Sequence, residues 1–93
     1  MSHTWTVSVH LFDADDIEAG GVVTTAHAVL TTSAGTSLEG HGVARRNPDD
    51  AAVTEIGEEL ATARALRDLA DRLLQVTAED ISEIEHHRVE LRQ

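Results

Sequence analysis

Residues 54–76, TEIGEELATARALRDLADRLLQV, constrain this chain more than any other stretch. Apolar side chains fall at Ile56, Leu60, Ala63, Leu66, Ala70 and Leu73, and Leu69 and Leu74 widen the stripe. Steps of three and four residues place them on one face of a helix. At about 1.5 Å per residue that helix is roughly 30 Å long. It can cover a small sheet, but it cannot bury its own stripe. A sheet must therefore be found in the rest of the chain, and Leu66 is expected in the core.

The N-terminal half supplies one. Residues 4–12, TWTVSVHLF, alternate, with Trp5, Val7, Val9 and Leu11 on one side and Thr4, Thr6, Ser8 and His10 on the other. That is a half-buried strand. Residues 13–21, DADDIEAGG, are acidic, end in two glycines and read as a hairpin loop. Residues 22–32, VVTTAHAVLTT, are rich in β-branched side chains and form a second strand. Ala26, Ala28 and Leu30 share one face, and His27, Val29 and Thr31 the other. After a turn at residues 33–36, a third strand runs through 37–45, where Gly40 and Gly42 mark a close backbone approach or a bulge.

Pro48, the only proline, ends the sheet. Asp50 or Thr54 then caps the helix, with Glu55, Glu58 and Glu59 favourably placed at its positive end. Thr77 and Asp80 have the spacing of a capping box, which predicts a break and a short second helix over 78–86 with Ile81 and Ile84 inward. The tail Arg88, Val89, Glu90 and Leu91 alternates again, as a short fourth edge strand or as a disordered end. The expected fold is α+β: a three-stranded antiparallel sheet with a long C-terminal helix and a short second helix on one face. Residues 1–93 are expected to form one domain.

Composition narrows the function classes. The net charge is −10, from 17 acidic and 7 basic residues, and every basic residue is Arg. Such a surface disfavours polyanions and anionic membranes, because phosphate contacts need concentrated Lys or Arg. Cysteine is absent, which excludes disulfides and thiol chemistry. No apolar run is long enough to span a bilayer, and a cytoplasmic location is the expectation. A domain this small with two aromatics, Trp5 and Phe12, builds a thin core, which favours a homodimer.

Candidate sites are few. Among His3, His10, His27, His41, His86 and His87 no ligand spacing recurs, so surface histidines and no metal or cofactor are expected. The loop carrying Asp13, Asp15, Asp16 and Glu18 lacks the glycine and twelfth ligand of a calcium loop and reads as a solvated hairpin. No serine stands in a nucleophile-elbow context, so no enzyme is expected. On the helix, Arg64, Asp68 and Arg72 form an i,i+4 ladder, and Arg67 pairs with Asp71. Arg45 and Arg46, with Asn47 beside them, are the remaining candidate. Two arginines at a strand end can hold a phosphate or a partner carboxylate, or can simply be a solvated terminus.

Two runs carry a family resemblance. They are LEGHGVARRNP at residues 38–48, and EIGEELA at 55–61 continuing into ARALRDLA at 63–70; Trp5, Thr6 and Val7 add to them. Together they resemble the small actinobacterial proteins called domain of unknown function 1876, across nearly the whole chain. One departure is Thr54, where family members often carry proline. The resemblance implies a fold like that of double-stranded-RNA-binding domains and a dimer. Through outline similarity to ribosome hibernation factors it also implies a stress or dormancy role. Two functions follow as expectations: a non-enzymatic dimeric protein-interaction module, or an RNA or ribosome binder acting through Arg45 and Arg46.

Overall fold

Three consecutive stretches of alternating sequence pair as a meander, and the long amphipathic stretch returns across it. In the computed structural model, which describes residues 1–15, 20–46 and 54–91 and helical side chains from 55 to 86, the order is β1 (Thr6–Asp15), β2 (Val22–Thr31), β3 (Ser37–Arg46) and α1 (Thr54–Leu91). The sheet is antiparallel in the order β1-β2-β3, with β2 central. Its register pairs Val9 with Ala28 and Ala28 with Gly40. β1 runs three residues further than its alternation predicted. Asp13, Ala14 and Asp15 pair with Thr24, Val23 and Val22, and Thr24 Oγ1 donates to Asp13 Oδ1 at 2.6 Å.

The helix lies over β2 and β3, antiparallel to β3, and hardly touches β1. Small residues explain this seat. Ala26, Ala28, Ala44, Ala61 and Ala65 are buried with Leu30 and Leu69, and Val9, Leu38 and Leu73 pack around them. Gly40 and Gly42 let backbone meet backbone. A Cβ on Gly40 would stand 2.5 Å from the Ala65 carbonyl oxygen and the Leu69 nitrogen. One on Gly42 would collide with the Ala61 carbonyl oxygen and the Ala65 nitrogen. Both glycines are close-approach positions, and β3 stays regular through them.

The helix is therefore rotated from the predicted stripe: Leu69 and Leu73 of that stripe face the sheet, but Ala61 and Ala65 complete the contact in place of Ile56, Leu60 and Leu66. Ala61 and Ala65 are 0% exposed and Leu69 5%, whereas Ile56, Leu60 and Leu66 are 61%, 43% and 42% exposed. Leu66 is not core. Small residues at Ala61 and Ala65 fit down onto the glycine-lined strand, and Ile56, Leu60 and Leu66 are turned away from it.

A second correction concerns the break at Thr77. The helix is continuous from Thr54 to Leu91, 38 residues, and neither the separate second helix nor a fourth strand over 88–91 forms. Thr77 Oγ1 donates to the Leu73 carbonyl at 2.8 Å, so its hydroxyl bonds back along the same helix rather than capping a new one. Gln75 and Glu79 span the same junction at 3.4 Å. At 1.5 Å per residue the helix is about 57 Å long, against about 33 Å for a ten-residue strand. Its C-terminal half projects beyond the sheet, and the longest dimension of the molecule is 65 Å.

Candidate functional site

The helix seat leaves an apolar surface uncovered. On β1, Val7 and Leu11 share the sheet's inner face with buried Ala26, Ala28 and Leu30, yet both are exposed, as is Trp5 just before the strand. A shallow depression between β1 and the helix is lined by Leu11, Ala63 and Leu66 together with Glu55, Glu58 and Glu59. From Leu66 the surface continues along the outward helix stripe through Leu74 to Ile81 and Ile84, all exposed. Leu66, Leu74, Ile81 and Ile84 lie within about 80° of one another around the helix axis at 100° per residue. Ile81 and Ile84, predicted to point inward, sit on the projecting half with no sheet beneath them.

β3 is an edge strand, and helix side chains satisfy the middle of that edge. The His41 N–H donates to Asp68 Oδ2 at 2.8 Å, and Arg64 donates to the Val43 carbonyl at 2.6 Å. Arg72 Nε also donates to Asp68 Oδ2, at 3.2 Å. The predicted ladder is thus realised between Asp68 and Arg72, while Arg64 reaches the strand. The His41 amide is the main reason that the Asp68 carboxyl lies below its ordinary value of 3.8; desolvation opposes it, and Arg72 adds to the lowering. These bonds occupy backbone groups that an open edge would offer to another strand.

Of the predicted contact residues, Arg45 and Arg46 end β3 on opposite faces. Arg45 follows His41 and Val43 on the outer side, opposite Val23, and Arg46 lies on the helix side, opposite Val22. Strand alternation thus starts the two side chains on opposite faces of the sheet, and Asn47 lies outside the described residues. Asp16 to Glu18 of the acidic loop, and the side chain of His87, lie outside them too.

The register gathers residues that linear spacing kept apart. His10 pairs with His27, and His27 with His41, so three strands each place a histidine in one row across the outer face. The His27 and His41 rings stack at 4.6 Å and 5°. His10 and His27 are 6.2 Å apart and tilted by 46°. Glu39, two residues before His41, brings Oε2 to 3.4 Å from His27 Nε2. That distance is within ion-pair range, but its direction is poor, and the buried Nε2 atom has no hydrogen-bond partner. The signal in the sequence was the shared outer parity of His10, His27 and His41, which needed the register to become a row.

No helix among the described residues is long and apolar enough to cross a membrane. A family model described as Rv2632c-like matches residues 3–90. Uncharacterized protein Mb1767 of Mycobacterium bovis is 50% identical over 54 residues, which is 58% of this chain and 57% of that protein. Uncharacterized protein Rv2632c of Mycobacterium tuberculosis is 48% identical over 56 residues, 60% of each chain. The matched segment thus spans less than two thirds of these relatives.

Proposed function

The chain belongs to the Rv2632c-like family, and we propose that it works as a non-enzymatic homodimer whose paired surface forms a protein-interaction module in the cytoplasm. One observation carries this reading: the apolar surface from Val7 and Leu11 across the depression to Leu66, Leu74, Ile81 and Ile84 is exposed in a single chain. Large contiguous apolar patches mark interaction surfaces. The shape agrees. The radius of gyration is 18.8 Å, whereas a compact chain of this length has about 12 Å. A second copy laid along the projecting helix would cover the stripe and make the pair compact. Sedimentation at tens of micromolar tests it. Dimers that dissociate on Leu66→Asp support the reading, and a strict monomer removes it.

A stress or dormancy role is the finer part of the proposal and rests on fold-level analogy alone. Its test is survival of a deletion strain through prolonged starvation, where unchanged survival removes it. The ribosome-binding alternative is the weaker one, because double-stranded RNA recognition needs basic groups reaching phosphates together. Arg45 and Arg46 leave the strand on opposite faces of a chain with net charge −10. Salt-dependent binding of structured RNA, abolished by Arg45→Ala with Arg46→Ala, would reverse that ranking.

A further inference from the structure

We propose that the outer face of the sheet carries a divalent transition-metal site, with Zn²⁺ as its reference ion, formed by His27 of β2 and His41 and Glu39 of β3. The three side chains place one ligand atom each within 4.8 Å of the others. Tetrahedral zinc, with Zn–N of about 2.0–2.1 Å, holds its ligand atoms roughly 3.3 Å apart. His27 Nε2 and Glu39 Oε2, at 3.4 Å, already have that separation. His41 is exposed, so its ring can swing out of the stack to bring the third nitrogen in. Two imidazoles and one carboxylate match the donor preference of zinc and its neighbours, not that of calcium or magnesium.

The orphaned nitrogen is the independent observation. His27 Nε2 is closed off from water and lacks a hydrogen-bond partner, although the side chain as a whole is 30% exposed. Buried polar atoms in this state are uncommon and call for a reason. A cation between His27 and Glu39 gives Nε2 a partner in the direction where hydrogen-bond geometry fails. The strong negative charge of the chain favours cation capture as well. The ligands come from adjacent strands, so the ion would tie β3 to β2 on the face opposite the helix. A fourth position remains open to water. His10 borders the site from β1 with its ring 6.2 Å from that of His27.

The test is titration of Zn²⁺ into the chelator-stripped 93-residue chain against a chromophoric indicator. One Zn²⁺ per chain is expected. His27→Gln, His41→Gln and Glu39→Gln should each weaken uptake by about tenfold or more, a loss that even outer partners of metal ligands produce. His3→Gln should leave it unchanged. Zn²⁺ should also raise the melting temperature of the parent and not of His41→Gln. Should His27→Gln fail to fold by circular dichroism, His41→Gln and Glu39→Gln decide the matter, because both side chains are exposed. Absence of uptake, or uptake insensitive to these two substitutions, overturns the proposal.

Discussion

Asp68 accepts from the His41 amide and from Arg72 at a single carboxylate oxygen, and thereby fastens the helix to the open edge of β3. Both bonds favour the ionised form, so its pKa lies below 3.8, the His41 amide being the larger cause. A depressed carboxylate contributes stability that is present above the unfolded value and lost as pH falls through the folded value. Asp68→Asn should therefore be less stable than the parent at neutral pH, and the gap should close as pH falls below 3.8. Urea melts over that range check this; a gap independent of pH would mean that the carboxylate's charge plays no part. The sequence singled out Asp68 as a rung of a helix ladder, and the pair with Arg72 is there. Its bond to a backbone amide 27 residues away was not legible, because no periodic pattern encodes a contact between elements.

At the scale of elements, the seat of the helix is decided by what is missing from β3. Gly42→Ala places a methyl group against the Ala61 carbonyl and the Ala65 nitrogen, neither of which can move without the helix. Overpacking of this kind costs about 1–3 kcal/mol, and denaturant melts should show it. Leu69→Ala and Leu66→Ala separate the two helix faces. Leu69 is buried, and its truncation should cost roughly 2–5 kcal/mol. Leu66 is exposed in the single chain, so its truncation should leave monomer stability nearly unchanged and, in the proposed homodimer, weaken association. Equal losses of monomer stability would place the sheet on the stripe that carries Leu66. Spacing placed Leu69 and Leu73 correctly toward the sheet but could not say that Ala61 and Ala65, rather than Leu60 and Leu66, would lie beside them.

The whole molecule is long because its helix outruns its sheet. In the proposed homodimer the apolar surface from β1 to Ile84 would be covered, while the net charge of −10 and the carboxylates of Glu55, Glu58 and Glu59 beside it oppose bringing two copies together. Repulsion between exposed charges is screened within about 8–10 Å at physiological salt. Self-association should therefore tighten as salt rises, the opposite of the salt response of phosphate binding. Sedimentation at low and high salt distinguishes the two, and a dimer that loosens in salt would point to ion pairs rather than apolar contact.

Sequence by itself determined the three strands, which residues of each share a face, the antiparallel hairpin order and the presence of a long amphipathic helix. Those features are local: a period of two or of 3.6 residues is written in side-chain polarity. Tertiary structure alone decided three things. It seated Ala61, Ala65 and Leu69, not Leu66, on the sheet; it carried the helix through Thr77; and it aligned His10, His27 and His41 in one row with Glu39 beside them. Each depends on which residues meet across distant segments. Register and close packing are set by the sum of many such meetings, so they appear only when the chain is folded.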